Sequence, residues 1–222
     1  MTKNFDKFTR TLLERGMHIS PHNISDKFDL KFIGTGEGND NFGYGFYFTE
    51  NPKVIKAYNN VFYNRGYDKT YSYEVEINVQ ENELLDWDAL IDDQSEYVKD
   101  KIKYAVEYLR KYTWKVYSDG GGHVFDPKNS WSNDIVAFNE EQLKEVQYGY
   151  GSNFYNWLRD YTGNSKDASE ALLKNGVKGI KYFDQFSRKD KKGTRNFVIF
   201  DDSLITIINK TEKDWTINNT ND

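Results

Sequence analysis

The sequence predicts an α+β fold built on antiparallel sheets, and three observations carry that prediction. Between Thr70 and Val79, apolar Tyr71, Tyr73, Val75, Ile77 and Val79 alternate with Ser72, Glu74, Glu76 and Asn78. That period of two is a strand with one buried and one wet face. The stretch Ser165 to Gly176 has Ala168, Ala171 and Leu172 at helical spacing, a capping Ser165 and a terminating Gly176. Strand-like and helix-like runs are dispersed along the chain with no internal repeat, the pattern of α+β. At 222 residues, one domain spanning 1–222 has room for a sizeable core.

In chain order, Phe5, Phe8, Leu12 and Leu13 share a helical face and Gly16 follows as a stop, so a helix is expected over 4–15. Met17 to Ser20 is a first strand and Pro21-His22-Asn23 a turn. Phe28, Leu30 and Phe32 alternate with polar residues as an extended piece. Glycines crowd residues 34–45, which lets backbone turn through positive φ and approach a ligand closely. Glu50-Asn51-Pro52 opens a helix, with Asn51 as N-cap and Pro52 at its first position.

After the strand at 70–79, Leu84 to Asp88 is a strand end or turn, with Trp87 a core plug. A helix is expected over 95–112, its stripe Val98, Ile102, Ala105, Val106 and Leu109. The glycine-rich 118–133 is a loop, and 88–150 as a whole reads as a variable insertion. Helices follow at 140–146 and 154–161, then strands at 177–182, 195–200 and 204–208. A polar, basic loop fills 184–194, and the tail 209–222 is expected to fray.

Composition bounds the function. Aromatic residues make up 17% of the chain, with 17 Tyr and 15 Phe, so rings must build much of the core. A net charge of −5 opposes a broad grip on nucleic acid, which needs many phosphate contacts. The absence of cysteine removes thiolate and disulfide chemistry. With His18, His22 and His123 the only histidines, no metal site is expected. No signal peptide or membrane span is readable, so a cytoplasmic location is expected.

Several motifs recur in a telling order: Pro21-His22, Phe28-Asp29, Ile33-Gly34-Thr35-Gly36-Glu37-Gly38, and Gly43-Tyr44-Gly45-Phe46-Tyr47-Phe48 with Tyr58 eleven residues after Tyr47. Far downstream come Gly176 and Gly179-Ile180-Lys181-Tyr182-Phe183-Asp184, then Arg195-Asn196-Phe197-Val198-Ile199-Phe200-Asp201-Asp202. This ordered set resembles the ADP-ribosyltransferase superfamily on its diphtheria-toxin and poly-ADP-ribose-polymerase side. More specifically, it is similar to the ADP-ribosyltransferase-like domain of phage and mobile-element polyvalent proteins.

The resemblance implies a split β-sandwich of two antiparallel sheets, with flanking helices and an NAD cleft. It implies that His18 holds the adenosine ribose, that the backbone of Ile19 and the hydroxyl of Ser20 grip the nicotinamide carboxamide, and that Tyr47 and Tyr58, after Gly45, sandwich the nicotinamide ring. Taken alone, His18 reads as a partly buried histidine satisfied by a backbone carbonyl. The family's glutamate position falls on Asn196, whose amide can bond a ribose hydroxyl but supplies no charge. Asp184 or Glu37 are candidates to supply it. Gln185, Arg188 and Arg195 are the expected acceptor or phosphate contacts. The implied activity is mono-ADP-ribosyl transfer from NAD, as co-substrate, to a host macromolecule in phage or mobile-element conflict. A protein acceptor is favoured over a nucleic acid, and the setting is the host cytoplasm. NAD hydrolysis and non-catalytic binding are the alternatives.

Overall fold

The computed structural model describes residues 13–33, 40–105, 149–184 and 193–216. The chain is α+β. Seven strands run in chain order: β1 (Leu13–Ser20), β2 (Phe46–Thr49), β3 (Lys69–Asn78), β4 (Leu84–Asp86), β5 (Gly179–Phe183), β6 (Arg195–Ile199) and β7 (Ile205–Asp214). Among the described residues four α-helices accompany them: α1 (Pro52–Asn64), α2 (residues 96–105), α3 (Gly151–Thr162) and α4 (Ser165–Lys174). The expected helix at 140–146 and the loop at 118–133 lie outside the described residues.

The strands form one seven-stranded sheet in the order β4-β5-β6-β2-β1-β3-β7, not the two separate antiparallel sheets expected. The sheet is also mixed, because β4 and β5 are parallel. Its thinnest joint is between β1 and β2, where only Met17 and Thr49 are in register. By contrast, β1 pairs with β3 along all eight of its residues.

Alternation along the strands divides the core in two. Tyr47 packs with Val198, Ile180 and Tyr182 towards α2, α3 and α4. Phe46, Phe48, Phe197 and Ile199 face the other way and join Tyr73, Val75, Ile77 and Ile205 of β3 and β7. Strands from both sides of the β1–β2 joint therefore feed one apolar cluster. Phe28 plugs this second cluster with edge-on contacts to Phe46, Phe48 and Tyr73.

Several boundaries depart from expectation for physical reasons. Leu13, Glu14 and Arg15, expected to end a helix, belong to β1, and Gly16 is a mid-strand residue. A Cβ at Gly16 would stand 2.9 Å from the Phe48 Cβ, so glycine serves a close packing contact and not a helix stop. Pairing with β3 overrides the local helical pattern. Leu30 to Phe32 is a 3-10 turn capped by the Asp29 side chain, which leaves Phe32 exposed while Phe28 is buried. The expected fraying tail instead continues as β7 to Asp214, registered against β3 as far as Lys69. Its polar composition fits an edge strand, wet on both faces.

The caps explain the helices. Asn51 accepts from the Lys53 N–H and Pro52 opens α1, as the sequence suggested. Ser95 accepts from the Val98 N–H ahead of α2. Helix α4 is capped by Asn164, not Ser165, and α3 starts earlier than expected, at Gly151. Gly151 has no alternative, since a Cβ there would meet the Asp86 carbonyl oxygen at 2.2 Å.

Candidate functional site

The strand order places β6, β2 and β1 side by side, and these carry Asn196, Tyr47 and His18. In register, Thr49 lies between Met17 and Asn196, and Tyr182 lies on the far side of Asn196. Tyr47 and Asn196 therefore share the helix-covered face. His18 does not join them on it. Its ring meets Phe28 edge-on at 5.1 Å and lies near Phe48 and Tyr73, on the opposite face.

His18 occupies the gap where β1 and β2 part. Its Nδ1 bonds the Tyr47 carbonyl oxygen at 2.9 Å, so the plain structural reading of this histidine holds. A carbonyl only accepts, which puts the proton on Nδ1 and leaves the Nε2 lone pair facing outwards from that bond. Burial lowers the pKa of His18 below its ordinary value, partly offset by the Tyr47 bond, and favours the neutral ring. Next along β1, Ile19 stands opposite Ser72, and the Ser20 hydroxyl accepts from the His22 N–H to shape the turn.

Tyr47 is pinned. Its hydroxyl donates to the Gly43 carbonyl at 2.8 Å and accepts from the Phe42 N–H at 3.3 Å. Burial pushes its pKa up, so it stays a phenol. Phe42 in turn stacks flat on Tyr182, with ring centres 4.0 Å apart. Gly45 is a glycine because β2 and β6 are close: a Cβ there would lie 2.6 Å from the Ile199 carbonyl oxygen. Tyr58 projects from α1, is 46% exposed, and packs on Phe62; no ring contact joins it to Tyr47 among the described residues.

Asn196 holds the most informative atom of the site. Among the described residues its buried Oδ1 has no hydrogen-bond partner, as is also true of Arg195 Nη1 and Trp215 Nε1. Leaving a buried acceptor unpaired costs about 1–3 kcal/mol, so a donor from a water, a ligand or another part of the chain would be worth that much here.

Around Asn196 lies a polar network that the sequence did not reveal. Asp184 is fully buried at the end of β5. Its Oδ2 accepts from the Asn51 Nδ2 at 3.3 Å and from the Thr194 hydroxyl. The Thr49 hydroxyl accepts from the Asn51 N–H, and the Glu50 carboxylate accepts from the Arg195 N–H at 2.7 Å. The readable signals were the N-cap motif at Asn51 and Asp184 as a candidate charge for the Asn196 position. Pairing of β5 with β6 across a loop is what brings Asp184 to it.

Of the expected acceptor contacts, Gln185 and Arg188 lie outside the described residues, as does Glu37. The Arg195 guanidinium, expected to contact an acceptor, is committed to the sheet: it lies over the Phe183 ring at 3.5 Å and pairs with Asp86 at 3.4 Å. Among the described residues, no group of three or more His, Asp and Glu could hold a metal ion, and no helix is long and apolar enough to cross a membrane. No family model, curated protein or solved structure matches this chain.

Proposed function

We propose that this protein is a mono-ADP-ribosyltransferase of the diphtheria-toxin and poly-ADP-ribose-polymerase type, on a split-sandwich variant of that fold. The observation that carries the reading is the strand order: residues 18, 47 and 196, remote in sequence, sit on three adjacent strands, with Tyr47 and Asn196 on one face and His18 bonding the Tyr47 carbonyl from the other. The single-pair joint between β1 and β2 supports a split sheet, and the Asn196 Oδ1, unpartnered among the described residues, supports a ligand hydroxyl beside it.

In the proposed reaction the bond from the ribose C1′ to the nicotinamide nitrogen of NAD breaks. Nicotinamide leaves neutral with the bonding pair, and an acceptor nucleophile bonds C1′ and loses a proton. Tyr47 and Tyr58 orient the leaving ring. Asn196 Oδ1 accepts from a nicotinamide-ribose hydroxyl. His18 Nε2 accepts from an adenosine-ribose hydroxyl, with Ile19 and Ser20 at the carboxamide. Orientation of this kind is worth far more than any single contact. We place the activity in the host cytoplasm, in phage or mobile-element conflict, with a host protein as acceptor.

The test is to incubate the protein with alkyne-bearing NAD and bacterial lysate. One labelled band is expected, lost in Tyr58→Ala, a change at an exposed side chain that leaves the fold intact. Equal labelling by Tyr58→Ala and His18→Ala would refute the assignment. A second reading, binding of NAD or ADP-ribose without chemistry, is favoured by the neutral Asn196 amide. It predicts a thermal shift with NAD and no release of nicotinamide. Nicotinamide release without label would point to hydrolysis.

A further inference from the structure

Burying a carboxylate is costly unless donors meet it, so the fully buried Asp184 calls for a role. Its Oδ2 joins two segments far apart in sequence: Asn51, which caps α1, and Thr194, which leads into β6. The backbone N–H of Asp184 also donates to the Thr194 carbonyl. On the other side, the Asn51 N–H is held by Thr49, the residue opposite Asn196. Helix α1 carries Tyr58 one to two turns beyond Asn51, and β6 carries Asn196 two residues beyond Thr194.

We propose that Asp184 is a positioning residue: its buried carboxylate locks the start of α1 to the start of β6 through Asn51 and Thr194, and so fixes Tyr58 relative to Asn196. The consequence for turnover rests on the proposed function; the lock itself does not. Asp184 touches no reacting atom in this account. It acts by holding the two segments that do.

The test uses the full chain with Asn51→Asp, Thr194→Val, and Asn51→Asp combined with Asp184→Asn. Aspartate is as good an N-cap as asparagine, so Asn51→Asp spares the helix start but sets two carboxylates against each other. The double variant restores a donor–acceptor pair with its direction reversed. Amide hydrogen exchange at residue 184, whose N–H donates to the Thr194 carbonyl, reads the lock directly, and Lys53, whose N–H bonds the cap, is the control for the helix start. Exchange at residue 184 should rise about tenfold or more in Asn51→Asp and return to near wild type in the double variant, while exchange at Lys53 stays near wild type in both. Nicotinamide release should fall about ten- to a hundredfold in Asn51→Asp, as for a small misplacement of reacting groups, and recover in the double variant. The KM for NAD should change less than about threefold, because the adenosine end is held elsewhere. Thr194→Val should show a smaller loss of the same kind. Unchanged exchange at residue 184 in Asn51→Asp, or no recovery in the double variant, overturns the proposal. If the wild type neither binds nor consumes NAD, the functional reading fails, and the exchange data alone decide the lock.

Discussion

Gly45→Ala isolates how tightly β2 lies against β6. The added Cβ would stand 2.6 Å from the Ile199 carbonyl oxygen and 2.8 Å from the Val198 Cγ1. A carbon–oxygen contact relaxes to about 3.3 Å, so the strands must separate locally by about 0.7 Å. A backbone bond of about 2.9 Å stretched by that amount is no longer a hydrogen bond. Loss of one such bond costs about 1 kcal/mol, and overpacking adds about 1–3 kcal/mol. The sum is about 2–4 kcal/mol, or a fall in Tm of roughly 4–16 °C for a chain of 222 residues. Thermal and urea unfolding followed by far-ultraviolet circular dichroism measures it. The control is Gly66→Ala, where φ is +83° and nothing lies within 4 Å, so only left-handed strain of about 1–2 kcal/mol applies. A Gly45→Ala protein no less stable than Gly66→Ala would refute the reasoning.

Three further outcomes are expected. Asn196→Val should remove the orphaned acceptor and stabilise the fold by about 0.5–2 kcal/mol in urea unfolding while abolishing nicotinamide release; a loss of stability would mean that Oδ1 is satisfied within the protein. Tyr155→Phe should cost about 1–3 kcal/mol by the same assay, because its buried hydroxyl serves the Ser165 carbonyl, Ser169 and the Tyr44 N–H together. For His18 the folded-state pKa lies below the ordinary 6.5, so the unfolded chain takes up the proton first on acidification. Its contribution is fully present above that ordinary value and is lost as pH falls from there towards the lowered one. Urea midpoints should therefore drop with acidification over that window, and His18→Gln should flatten the slope.

Elements whose signals are local were legible in the sequence. The alternation of β3 and the Asn51-Pro52 cap needed only neighbouring residues, and both stand where the pattern put them. The glycine-rich and aromatic stretch drew attention to Tyr47, and the Arg195-Asn196 run to β6. Other features were decided by partners far along the chain. Leu13 to Arg15 looks helical in isolation but is strand, because β3 offers eight residues of pairing. Asn209 to Asp214 is polar enough to fray but is ordered by the same strand. Arg195 looked available for an acceptor, yet Phe183 and Asp86 hold it. Gly45 looked like a ligand contact, and the Ile199 carbonyl alone suffices to require it. The sequence by itself determined which segments have strand or helix character and which residue types are available for chemistry. The tertiary structure alone decided the single seven-stranded sheet, the buried Asp184 joining α1 to β6, and the burial of the Asn196 acceptor. Periodicity and caps act over a few residues, whereas strand pairing and buried polar bonds join residues from ten to more than a hundred positions apart and leave no mark on the local pattern.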